Sequence, residues 1–140
     1  MRMLDPFRGC PEGARSFVVK AALAVARPSM SFHEKTMYRG KDIRSGDRIF
    51  VFASDHDGGS GLTACGIVTS VRRGLGSRRW IAVKRTATAR RKLGRPELAT
   101  FRELTDSSPQ TEIARKLYRQ ATNKIAGVSP VAAKFLRNYF

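Results

Sequence analysis

The chain has 140 residues, of which 41% are hydrophobic; this is enough for one domain with a compact core and excludes a disordered chain. Its 27 Lys and Arg against 11 Asp and Glu leave a formal charge of +16. An excess of that size favours polyanions as partners, through counterion release and long-range steering.

Residues 1–14 carry Pro, Gly and charges without periodicity and read as an irregular arm. From Ser16, the apolar residues Phe17, Val19, Ala21, Leu23 and Val25 fall at alternate positions, and this period of two predicts a strand that Pro28 ends. Lys20 interrupts the run, which is far short of the roughly 20 residues of a membrane helix, so no membrane partner is expected. Residues 29–45 read as a crossing segment with room for one helical turn. Arg44-Ser45-Gly46-Asp47 is a turn. It leads into residues 48–54, apolar on both faces from Ile49 to Ala53, as a central buried strand is.

Residues 55–61, Asp-His-Asp-Gly-Gly-Ser-Gly, read as a loop. Residues 62–71 predict the next strand, in which Gly66 marks a bulge or a close approach. Residues 72–77 form a connector of hairpin length, and 78–88 a strand with Trp80 near its start. Residues 89–96 read as a basic loop and 99–104 as a last strand. After Asp106 the pattern turns helical. Thr111 and Glu112 resemble a helix start, with Ile113, Leu117 and Ala121 on one face. Ser129 and Pro130 supply an N-cap and first-turn pair, followed by Val131, Phe135 and Tyr139 with Leu136 beside them. The sum is one α+β domain over 1–140. It is a small mixed β-barrel of about five strands with flanking helices, two of them C-terminal over about 111–140.

Few enzyme signals accompany this pattern. Cys10 and Cys65 have no metal-ligand spacing, and Cys65 sits in an apolar run as a small buried residue. No secretory signal is legible, so a reducing cytosol is the expected setting. His33 and His56 lack ligand spacing, and Asp55 and Asp57 lack the further oxygen ligands of a cation loop. There is no phosphate-binding loop or dinucleotide fingerprint. No cofactor or metal is expected, and oligomeric state is not legible.

The charge is unevenly spread. From Arg72 to Arg95 there are ten Lys or Arg residues and no acid. Arg72, Arg73, Arg78, Arg79, Lys84, Arg85, Arg90, Arg91 and Lys92 are the expected phosphate contacts, because ordinary surfaces mix both signs.

A second signal lies between His33 and Val71. Arg39-Gly40, the run Ser45-Gly46-Asp47-Arg48-Ile49-Phe50-Val51-Phe52-Ala53-Ser54, and Gly58-Gly59-Ser60-Gly61-Leu62-Thr63-Ala64-Cys65-Gly66-Ile67-Val68 resemble the PUA-like superfamily. The EVE and ASCH branches are the nearest, with their Gly-Asp entry to an apolar strand ending in Ser. The resemblance covers about residues 16–104. It implies a pocket at the barrel mouth. In EVE and the related YTH branches, such a pocket holds an extruded modified base between aromatic faces and polar edges. Tyr38 and Trp80 would be the aromatic faces and Ser54 the polar pocket residue, while Lys35 and Arg39 would hold phosphate or a base edge.

Three readings follow. The first is a domain that binds RNA or DNA through a modified base in the pocket formed by Lys35, Tyr38, Arg39, Ser54 and Trp80. The second, implied by the ASCH branch, is an amidohydrolase of a modified nucleoside with a Lys-x-x-Thr pair. Lys35 matches its first member, but Tyr38 stands where the Thr belongs and no Glu has an equivalent place. A Thr nucleophile would also need a neighbouring base. The third is a structural or interaction module that uses its basic face.

Overall fold

The computed structural model describes residues 5–22, 27–54 and 61–140. The elements are β1 (Ser16–Ala21), β2 (Ser29–Met37), β3 (Arg48–Ala53), β4 (Gly61–Arg73), β5 (Arg78–Thr88), α1 (Arg95–Leu98), α2 (Pro109–Tyr118), β6 (Lys124–Val128) and α3 (Pro130–Arg137). The strands close into a barrel in the order β1-β3-β4-β5-β2-β6. The pairs β1–β3 and β2–β6 are parallel and the other four antiparallel. The expected α+β barrel with two C-terminal helices is present, with six strands rather than about five.

Alternation along the strands makes two apolar layers. Phe17, Val19, Ile49, Val51, Ala64, Val68, Ile81, Val83 and Ile125 fill the barrel interior. Val18, Phe50, Phe52, Cys65 and Ala126 point outward and are covered by Ile113 and Leu117 of α2, Ala132 and Leu136 of α3, and Phe7 of the N-terminal arm. Strand β3 is therefore apolar on both faces because it has a core on each side. Each large side chain enclosed this way contributes about 1.5–3 kcal/mol relative to exposure.

Local chemistry fixes the joints. The Asp47 carboxylate is buried and accepts from the backbone N–H of Arg44 (2.8 Å) and of Arg15 (3.0 Å), which ties the turn before β3 to the start of β1. The register of β4 on β5 slips between Cys65 and Gly66. A Cβ on Gly66 would lie 2.3 Å from the Lys84 carbonyl oxygen, so the strands can approach there only without a side chain. Ser108 and Ser129 cap α2 and α3, accepting from Thr111 N (3.2 Å) and Ala132 N (3.1 Å), with Pro at the first helical position of each. Helix α2 thus starts before the Thr111 read from sequence.

Four sequence expectations are corrected. Residues 29–37 are a full strand, not a crossing segment; only Gly40–Asp42 forms the helical turn. Residues 99–104 are not a strand. Pro96 opens the short α1, whose Glu97 accepts from Gly94 N at 2.7 Å, and Ala99–Phe101 continues as a 3-10 turn. The C-terminal region is interrupted by β6, five residues that close the barrel. In α3 the buried face is Ala132, Ala133 and Leu136, while Val131 is 60% exposed. The Gly- and Asp-rich loop, His56, and the expected strand positions Leu23 and Val25 lie outside the described residues. Among the described residues, no helix is long and apolar enough to cross a membrane.

Candidate nucleic-acid interface

A cavity of about 480 Å³ opens where three chain segments meet. These are residues 14–17 entering β1, Tyr38 and Arg39 leaving β2, and residues 127–130 between β6 and α3, with Arg48 and Lys116 at the sides. Tyr38 and Arg39 have φ of 49° and 66°, two consecutive left-handed residues that are not glycine. That conformation costs roughly 1–2 kcal/mol per residue. Surrounding bonds hold it in place. Gly127 N donates to the Tyr38 carbonyl at 3.0 Å, and Asp42 N to the Arg39 carbonyl at 3.0 Å. The outcome is a tyrosine 43% exposed at the cavity mouth.

Four cations line this cavity, and the acids near them are already engaged. Asp42 receives Arg39 Nε at 3.1 Å and lies 3.7 Å from an Arg15 nitrogen. Arg48 Nε donates to Ser16 Oγ at 2.9 Å. Lys116 Nζ donates to the Gly127 carbonyl (2.6 Å) and to Glu112 (3.0 Å), and stands 5.7 Å from the Tyr38 ring centre. Glu112 also accepts from the backbone N–H (2.7 Å) and the hydroxyl of Ser129. Burial pushes its carboxyl up, but the bonds from Ser129 and Lys116 outweigh that and hold it below the ordinary value.

At the other end of β1, Lys20 and Lys124 are register partners and both buried. Their Nζ atoms donate to the carbonyls of Leu117 (2.7 Å) and Lys116 (2.8 Å), so both close the C-terminus of α2, where cations are favoured. Burial, and then the neighbouring Lys20 charge, bring the Lys124 amine down to about 8. Beside them lies a smaller cavity of about 230 Å³, lined by Lys20, Arg95, Arg102, Tyr118, Arg119, Gln120 and Ala121.

Solved structures provide a comparison. The human THYN1 protein in complex with DNA containing 5-methylcytosine superposes with a TM-score of 0.61 at 8% identity, over 89% of this chain and 96% of that one. The DUF55 domain of human thymocyte nuclear protein 1 gives 0.62 at 8% identity, over 88% and 96%. A protein of Rhodopseudomonas palustris solved by NMR gives 0.59 at 13% identity, over 90% and 92%. The fold is PUA-like. No protein-family model matches the chain, and no curated protein matches it in sequence.

Within this PUA-like barrel the residues named from sequence fall in three places. Tyr38 and Arg39 line the larger cavity. Ser54 is buried one residue beyond Ala53, which pairs with Ala21 at the far end of β1 and β3 from the Ser16–Arg48 pair; its N–H donates to the Ala21 carbonyl at 2.9 Å. Lys35 and Trp80 lie on β2 and β5, where Lys35 pairs with Arg78 and Trp80 with His33. Trp80 stacks on His33 with ring centres 4.0 Å apart and is 43% exposed. Thr36, next to Lys35, donates its hydroxyl to the Ser77 carbonyl at 2.6 Å.

The basic block divides as well. Arg72, Arg73, Arg78, Arg79 and Lys84 lie on β4 and β5, and Arg85 is also on β5. Arg90 and Arg91 instead meet the end of α3: Arg90 N donates to the Tyr139 carbonyl at 2.7 Å, and the Arg91 guanidinium stands 4.3 Å from the Tyr139 ring centre. Lys92 is exposed in the following loop. Sequence reasoning missed Arg15, Arg48, Lys116 and Ser129. They come from four separate segments of the chain, and no local spacing connects them.

Proposed function

We propose that this PUA-like chain binds nucleic acid and that the larger cavity receives an extruded base, with Tyr38 as its stacking face. The observation that carries the reading is the left-handed Tyr38–Arg39 pair at the mouth of that cavity. Backbone strain of this kind persists where the surroundings over-determine it, and it clusters at ligand clamps. Arg15 and Arg39, which share the half-buried Asp42 as an ion-pair partner, are placed to meet phosphate, and the net charge of +16 supports a polyanionic partner. The complex of the THYN1 protein with DNA containing 5-methylcytosine makes a base modified on its edge the first ligand to test.

The test is a fluorescence-anisotropy titration with labelled oligonucleotides, containing cytosine or 5-methylcytosine, over a range of salt. Binding that weakens steeply with salt and favours one base is expected. Tyr38→Ala should lower affinity by about 1–3 kcal/mol, the usual contribution of one base–aromatic stack. Absence of binding at low salt would overturn the proposal.

A further inference from the structure

The outer face formed by β2, β5 and the second half of β4 is not covered by any helix described above, and its side chains follow a definite order. Across the three strands, His33, Trp80 and Arg72 share one row, and Ser31, Ala82 and Ser70 the next. Register partners project to the same side of a sheet. The second row is therefore a floor of small side chains beside a tall aromatic stack. Lys84 stands at one end of this face, and Lys35 and Arg78 at the other. These are cations, and Arg78 also lies within electrostatic reach of the Glu34 carboxylate on β2.

The stack is held in place. The Trp80 and His33 rings are 7° from parallel, so His33 backs one side of the indole. A Cβ on Gly74 would lie 2.4 Å from His33 Nε2, so the hairpin loop closes over the imidazole only because residue 74 is glycine. His33 Nε2 is buried and has no hydrogen-bond partner among the described residues, which fits a ring positioned for stacking rather than for bonding. The indole keeps 43% of its surface open, and Arg72 is its register partner on β4.

We infer that this face is a second contact surface, a platform on which a single-stranded polynucleotide stacks one base against Trp80 while the phosphates on either side meet Arg72, Arg78, Lys35 and Lys84. From Lys84 to Arg78 the strand runs roughly 20 Å, the length of a few nucleotides. Stacking with cationic flanks is how sequence-tolerant single-strand binding is built. A duplex keeps its bases paired and offers no face to the indole. The inference rests on the nucleic-acid reading above but concerns a different surface from the Tyr38 cavity.

Trp80 is the only tryptophan in the chain, so its emission reports on this face alone. The experiment follows that emission in the unmodified protein, together with the anisotropy of labelled oligo-dT, oligo-U and a blunt DNA duplex. Quenching that saturates with the anisotropy curve for either single strand, and is weak for the duplex, is expected. Trp80→Ala should then weaken single-strand binding about 5- to 150-fold, with Trp80→Phe restoring most of it. An anisotropy rise with unchanged emission for both single strands would overturn the platform and leave the cavity reading standing. No anisotropy rise with any oligonucleotide would overturn both.

Discussion

On the face built from β1, β3 and β6, the side chains between the sheet and α2 and α3 are enclosed, and they are apolar except for Lys20 and Lys124 at the end of α2. On the face built from β2, β5 and the end of β4 they are Ser, Ala, Lys and Arg around one aromatic stack. The two faces belong to one closed sheet, yet they answer to different forces. Burial sets the first, where Val18, Phe50 and Phe52 need the helices above them. Nothing demands apolar residues on the second, so its Trp80–His33 pair is an exception to the local pattern. On the inference drawn above, this exposed aromatic on a floor of small residues serves binding more than folding. Substitutions on the covered face should change stability with little effect on intrinsic affinity, and those on the open face the reverse.

The strongest way to break this contrast is Leu117→Ala, which empties a fully buried site between α2 and the barrel. A loss of about 3 kcal/mol in denaturant unfolding is expected, with oligonucleotide affinity of the folded fraction unchanged. Next is Glu112→Gln, which weakens the bonds from Ser129 and Lys116 that join α2 to α3. The expected cost is about 2 kcal/mol at neutral pH. Because the native carboxyl lies below its ordinary 4.5, its contribution is present above that value and fades as pH falls through the native one. The difference between wild type and variant should therefore shrink in acid.

Lys124→Met sharpens the covered side further. The native amine, lowered to about 8 from 10.5, binds fewer protons than the unfolded one between those values. The wild type should thus gain stability relative to Lys124→Met as pH rises from about 8 to 10.5, and urea midpoints across that range would show it. At the cavity mouth, Arg39→Gly relieves a left-handed residue and should stabilise the fold by about 0.5–1 kcal/mol while weakening oligonucleotide binding, so the two readouts move in opposite directions. The smallest effect is expected for Lys84→Ala on the open face. Stability should stay within about 0.5 kcal/mol, and the slope of log affinity against log salt should fall by about one ion.

The barrel was legible wherever one strand carried its own pattern. β3 read correctly because a core on each side made it apolar throughout, and the Gly46–Asp47 entry is a turn held by the Asp47 carboxylate. β2 was missed although Met30 and Phe32 alternate with Ser29, Ser31 and His33, because only two of its nine residues are large, apolar and buried. β6 was missed because it has five residues and opens on Lys124, a charge that is buried only because α2 ends above it. The site was legible in part. Tyr38 and Arg39 stand out in the sequence as an aromatic and a cation beside a glycine. Their left-handed backbone, and the meeting with Arg15, Arg48 and Lys116, are set by tertiary contacts that no local spacing encodes. Trp80 was visible as an aromatic among cations, but its outward direction depends on the register of β5.

The position of β6 has a consequence for how this protein is made. It lies between β1 and β2 and is the last strand in the chain. Until residues 124–128 leave the ribosome, the other five strands form an open ribbon whose two free edges can pair with any passing strand. The same late segment, continuing to Pro130, supplies one wall of the Tyr38 cavity. A nascent chain therefore carries its basic open face before it has a finished cavity.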